Sequence, residues 1–261
     1  MNQLDVRQLL AQINKTTPSF FLLNWRQKMA IVFETFRLNT RLIFSNRFIW
    51  FLLGLLAWCI FQYVINYQRE IYQRMSADYI FFVVMQLPLS AFAVFLNMSL
   101  ISSEKDNRTL EITFTTAGSR YKVWLVRFGS LCVLFFLLSL TLSYIGYYFF
   151  VDLPVWAMAF HAYVPTFFIS GMVFYFAVKL RSGLAAGMVS GILLFFMFIF
   201  NEPLRSTRYA LYFNPFTVPH NVDSSVWYDW TWQNRIGLIV LGGLFIFAAL
   251  RGMGNREKLL R

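Results

Sequence analysis

Six apolar runs, each long enough to cross a bilayer, constrain this chain more than any other feature. They are Phe48–Ile65, Tyr79–Ile101, Phe128–Val151, Pro154–Val178, Gly183–Phe200 and about Thr231–Leu250. Crossing about 30 Å of hydrocarbon at about 1.5 Å per residue takes roughly 17 to 25 residues. The expected fold is therefore all-α: a polytopic membrane protein with six transmembrane helices. Composition agrees. Of 261 residues, 58% are hydrophobic and only 13% charged, where a soluble domain carries about 25% charged residues.

The charges lie between the apolar runs and give them a direction. Segments 1–47, 102–127, 179–182 and 251–261 hold 18 of the 23 lysines and arginines, and segments 66–78, 152–153 and 201–235 hold the other five. The positive-inside rule then places both termini in the cytoplasm, with the chain integral to a plasma (inner) membrane. The net charge of +11 is read as this leaflet bias, so nucleic acid is not an expected partner. The start MNQLDVRQLLAQINKTTPSFF lacks the basic-apolar-small pattern of a cleavable signal peptide. The expected organisation is a cytoplasmic segment 1–24, one transmembrane domain 25–251 and a cytoplasmic tail 252–261.

Ahead of the first run, Met29, Val32, Phe33, Phe36, Thr40, Ile43 and Phe44 recur at spacings of three and four. Arg26, Lys28, Arg37, Arg41 and Arg47 lie between them. This predicts an amphipathic helix over 25–47 lying in the interface, its arginines toward anionic lipid headgroups. Within the runs, Gly183, Gly187 and Gly191 form a small-xxx-small ridge suited to close helix packing, within the subunit or against a second one. Gln86, Pro88, Ser90 and Asn97 make one side of the second run polar. They either line a pathway or satisfy neighbouring helices. Arg235, near the start of the last run, is expected to snorkel outward beside Trp230 and Trp232. The connection 201–230, with its prolines and many aromatics, predicts short helices or re-entrant turns resting on the outer leaflet.

Catalytic chemistry is not legible. The sequence holds no GxxxxGK[ST], no HExxH and no metal-ligand spacing. Gly187-Met188-Val189-Ser190-Gly191 misplaces its glycine for a nucleophile turn. His161 and His220 read as interface residues, and Cys59 and Cys132 as packed thiols. No catalytic, cofactor-binding or metal site is assigned, and the chain is not expected to be an enzyme.

The remaining signal is the charged stretch between the second and third runs, SSEKDNRTLEITFTTAGSRYKVWLVR from Ser102 to Arg127. Ser102 and Ser103 can cap a helix whose first turn holds Glu104 and Asp106. Leu110, Ile112 and Phe114 stand beside Lys105, Arg108 and Glu111. A short charged hairpin of this kind suits docking of a soluble partner; its plain alternative is a solvated inner loop.

This stretch resembles the type-2 ABC exporter permeases, which carry E-[RK]-E-x-G-T-L-E, then T-P-x-S-R, then L-G-K after their second span. Here the residues are Glu104-Lys105-Asp106-Asn107-Arg108-Thr109-Leu110-Glu111, then Thr116-Ala117-Gly118-Ser119-Arg120, then Leu125-Val126-Arg127. Asp106, Arg108, Ala117 and Val126-Arg127 depart from the pattern and leave its turn geometry open. The six runs, the amphipathic N-terminal helix and the long last outer loop are similar too, over about residues 25–255. The resemblance implies a permease dimer, of two copies or of this chain with a homologue, carrying two cytoplasmic ATPase subunits. ATP and magnesium would be bound there and not by this chain. Ser103 to Ala117 would be the coupling helix, with Glu104, Lys105, Asp106, Arg108, Leu110, Glu111 and Phe114 meeting the ATPase. A non-transporting subunit that anchors a cytoplasmic partner is the alternative. A membrane-embedded enzyme lacks the clustered polar groups that it needs.

Overall fold

The computed structural model describes residues 24–26, 33, 46–68, 76–106, 120–150, 152, 154–204, 207–219 and 222–252. The chain divides into two units, Met1–Leu42 and Ile43–Arg261. In the first, Trp25, Arg26 and Phe33 are helical and exposed; most of the expected interfacial helix lies outside the described residues. In the second, every regular element among the described residues is helical. The order is α1 (Asn46–Gln68), α2 (Ala77–Tyr79), a π-helical segment π1 (Ile80–Gln86), α3 (Leu87–Asp106), α4 (Arg120–Phe149), α5 (Val155–Leu180), α6 (Gly183–Ile199), α7 (Asn201–Leu204) and α8 (Ser224–Gly252).

Among the described residues, five helical stretches are long and apolar enough to cross a membrane: Ile49–Gln68, Ala77–Ser99, Trp124–Phe149, Val155–Leu180 and Ser224–Gly252. The fifth predicted span is the shorter helix Gly183–Ile199. Its start agrees with the sequence because Ser182 caps it, the hydroxyl accepting from the Ala185 amide at 3.3 Å. The turn before it takes only Arg181 and Ser182, with Arg181 left-handed at φ 53°. That conformation is unusual for a side chain other than glycine, and it lets two spans meet through a two-residue link.

Helix α5 is the centre of the bundle. About 67% of its span is buried, against 17% for α1 and 22% for α8. The second span is irregular for a local reason. Pro88 has no amide hydrogen, and in an α-helix its ring would strike the carbonyl four residues back. The backbone widens just before it: residues 80–86 are π-helical, and the Leu87 amide bonds the Phe82 carbonyl, five residues back. The carbonyl of Val83 is taken by the Trp58 indole of α1 at 3.1 Å. Phe51 of α1 also stacks on Phe95 at 3.8 Å between ring centroids.

One close helix crossing, backbone against backbone, is at glycines that the glycine spacing did not single out. A Cβ on Gly171 of α5 would lie 2.8 Å from the Gly242 carbonyl of α8, and one on Gly242 would lie 2.9 Å from the Phe167 ring. Of the predicted ridge, Gly183 is buried, and Gly187 approaches Met98 of α3 so closely that a Cβ would meet its sulfur. Gly191 is exposed with nothing near it. Gly171→Ala should therefore lower the thermal unfolding midpoint of the purified protein by several degrees, since backbone opposes the new methyl. Gly191→Ala should hold or raise it, because alanine favours a helix interior by about 1 kcal/mol. Equal losses at both positions would contradict this packing.

Candidate functional site

The residues between α7 and α8 form the most polar interior feature among those described. Ala210, Leu211, Tyr212 and Phe213 are buried, with Ala210 and Phe213 each 1% exposed. The stretch does not rest on top of the bundle. The Tyr212 hydroxyl donates to Ser90 Oγ at 3.1 Å, and Ser90 lies thirteen residues along from Ala77, roughly 20 Å at 1.5 Å per residue. Irregular backbone at such depth must have its polar groups met by protein, and here side chains meet them. The Asn234 amide donates to the carbonyls of Arg208 and Ala210, both at 2.9 Å. The Tyr212 amide donates to Asn201 Oδ1 at 3.3 Å. Asn214 donates to the Asp78 carboxylate and accepts from the Phe216 amide at 2.8 Å.

Arg235 closes this set, and its position corrects the sequence expectation. The side chain does not snorkel outward; it is 0% exposed. Its Nε donates to His161 Nδ1 at 3.1 Å, one terminal nitrogen to Asn234 Oδ1 at 2.8 Å, and the other to the Phe213 carbonyl at 2.7 Å. The cause lies in the helix start. Asp223 caps α8, its carboxylate accepting from the Ser225 amide at 3.1 Å, and the hydrogen bonds from Ser225 and Ser224 hold its pKa below the usual carboxylate range. The helix thus begins at Ser224, seven residues before the predicted run. Arg235 is then about 16 Å into α8, too far in to reach solvent past a packed segment. His161 is half-buried, with Phe216 at 5.7 Å between ring centroids, so it is a partner of Arg235 and not only an interface residue.

The three polar residues of the second span are interior. Ser90 Oγ donates to the Gln86 carbonyl at 2.7 Å. The Asn97 amide donates to the Ala93 carbonyl at 2.8 Å and to Ser170 Oγ of α5 at 2.7 Å. Gln86 is 1% exposed, and neither atom of its amide has a hydrogen-bond partner among the described residues. A path at these residues would run through the helices of one chain. The sequence reading did not mark Gln62 and Asn66, buried on the face of α1 that includes Cys59; their i, i+3, i+7 spacing was the available signal.

For the charged connection, α3 stays helical through Asp106 and α4 begins at Arg120. Ser102 and Ser103 thus lie inside α3 and do not cap a new helix, and Glu104, Lys105 and Asp106 stand on its last turn, not on a first one; Arg108, Leu110, Glu111 and Phe114 lie outside the described residues, as does His220. Among the described residues no group of three or more His, Cys, Asp or Glu side chains could hold a metal ion. No family model, curated protein or solved structure matches the chain.

Arg235→Met would leave one backbone carbonyl, one imidazole nitrogen and one amide oxygen buried without donors. It should destabilise the protein by about 2–4 kcal/mol. Arg208→Ala, at an exposed arginine held by Gln233 and Tyr209, should cost less than about 1 kcal/mol. Unfolding of both variants in the same detergent checks the difference; a smaller loss for Arg235→Met would refute the clamp.

Proposed function

We propose that this chain is the membrane-spanning permease subunit of an ATP-driven transporter of the type-2 ABC exporter kind. The observation that carries the reading is the charged connection from Glu104 to Arg120, on the pattern Glu104-Lys105-Asp106 … Thr109-Leu110-Glu111 … Ser119-Arg120. It supports a coupling segment over Ser103–Ala117, whose first residues, through Asp106, continue α3. Charged side chains there fix register on an ATPase groove, and Leu110 and Phe114 serve as apolar anchors.

A sixth span is supported by continuity. Phe200 keeps right-handed helical geometry, its amide bonds the Phe196 carbonyl, and the Leu204 amide bonds the Phe200 carbonyl at 3.2 Å. Helical chain over 183–200 would be about 27 Å long, within the range of roughly 17 to 25 residues that crosses the hydrocarbon, and α7 would carry it into the outer connection. Six spans with cytoplasmic termini put the 201–223 connection outside and the charged connection inside. ATP hydrolysis by two partner subunits would tilt the spans through the coupling segment and open a path between two permeases. This chain itself would bind no nucleotide.

The experiment is affinity purification of the tagged chain from its native membrane in mild detergent, followed by mass spectrometry. A phosphate-loop ATPase should copurify, and Glu104→Lys with Glu111→Lys should release it at least about tenfold, since like charges would face each other across the contact. Absence of any ATPase, under conditions that keep other transporters intact, would sink the reading and leave the anchoring subunit in the lead.

A further inference from the structure

Four helices come together at the end of the bundle where α8 starts. Tyr63 of α1 meets Phe149 of α4 at 5.6 Å between ring centroids, and Phe160 of α5 meets Trp232 of α8 at 6.1 Å. The short link from Phe149 to Val155 joins α4 to α5, so both pairs stand at the same end. Each of the four helices exposes there an aromatic ring with a polar tip. Tyr67 of α1 is 77% exposed, Tyr148 of α4 73%, Trp156 of α5 65% and Tyr228 of α8 63%. One exposed ring needs no explanation. Four at one end, on four helices, do.

A second observation is the distance from these rings to the opposite end. On α1, Trp50 is 73% exposed and lies about 26 Å before Tyr67 at 1.5 Å per residue. On α5 the exposed Lys179 follows Trp156 by about 35 Å, and on α8 the exposed Arg251 follows Tyr228 by about 35 Å. All three distances lie near the ~30 Å of a hydrocarbon core, with helix tilt taking up the longer ones. Between these markers the exposed residues include Leu56 and Ile60 on α1 and Val240 and Leu244 on α8, all aliphatic. The indole of Trp58, also in this stretch, is bonded to the Val83 carbonyl.

The occupant follows from the distribution. The second span packs on α1 and α5 packs on α8, so the rings face outward from different sides of the bundle. A protein partner would cover a patch on one side. A layer that meets all four helices at one depth is the headgroup region of a bilayer, where Tyr and Trp concentrate. We propose that these rings form a girdle seated in the phospholipid headgroup layer at this end. The ring bodies lie over the first acyl carbons, and the hydroxyls and the Trp156 N–H point to ester carbonyls and phosphates. The opposite end is set by Trp50, Lys179 and Arg251, and the two levels together fix how deep the bundle sits. The girdle requires no ATP-driven transport.

The test measures depth in the full chain, in phosphatidylcholine nanodiscs. Cys59 and Cys132 are replaced by alanine, and a nitroxide is attached to Tyr67→Cys, Tyr148→Cys or Tyr228→Cys. Collision with oxygen and with a water-soluble nickel chelate then gives the depth of each label. All three should lie within about 5 Å of the phosphates, and Ile60→Cys and Val240→Cys about 10 Å or more deeper. A chain that fails to assemble is replaced by one labelled a turn away, at Tyr63, Tyr144 or Trp232. Labels free in water, or as deep as those at 60 and 240, would overturn the girdle. A label shielded from both reagents would overturn it as well, since protein would then cover that ring. None of these results depends on whether an ATPase copurifies.

Discussion

The hydrogen bond from Arg235 to the Phe213 carbonyl is the contact on which the loop-bearing end of the bundle turns. Backbone that leaves helical geometry at membrane depth has no water to turn to, and each unmet group costs several kcal/mol. Residues 207–219 leave it, yet Ala210 to Phe213 are all buried. Two adjacent side chains of α8, Asn234 and Arg235, meet three of the carbonyls there. Stacking then fills the space: Phe213 lies on Trp227 at 4.3 Å between ring centroids. Without the polar contacts, that aromatic surface would hold the segment less specifically, because stacking has little preference for register.

The same segment ties the second span to α8, which share few direct contacts. Tyr212 reaches the second span, Asn214 reaches its first turn at Asp78, and Phe216 packs on both Phe81 and His161. The widening of the second span before Pro88 lies beside these contacts. The chain thus packs the π-helical segment and the irregular residues 212–216 against each other. π-helical turns are frequent at functional sites, and this one ends at the residue whose amide is unpartnered. Elsewhere in the bundle a two-residue turn at Arg181–Ser182 joins α5 to α6.

Helix positions were largely legible, because length and apolar content decide them: the start of α6 at Gly183 is the predicted one, and α5 differs by a residue or two at each end. The start of α8 was missed since Asp223-Ser224-Ser225 is a capping signal placed ahead of polar and aromatic residues, outside the hydropathy window. That miss misplaced Arg235, because snorkelling is the right default only near a helix end. The irregularity of the 201–230 connection was legible from its prolines and aromatics. Its descent between the helices was not, since depth is set by Asn234 and Arg235, residues distant in sequence from the carbonyls they hold. The Gly171–Gly242 crossing was hidden for the same reason: each glycine is ordinary in its own helix, and only the pair makes a close approach.

The central claim is that residues 210–213 are buried between the helices and held from α8. Cysteine accessibility tests it most directly. In a chain with Cys59 and Cys132 replaced by alanine, Tyr209→Cys and Ala210→Cys would each be treated with a membrane-impermeant maleimide on the purified protein in nanodiscs. Tyr209 is 68% exposed and Ala210 1%, so the account predicts rapid labelling at 209 and protection at 210. Protection at 210 should be lost when Asn234→Ala and Arg235→Met are added. Labelling of the two positions at the same rate in the otherwise unaltered chain would mean that the segment lies on the surface, and would contradict the account.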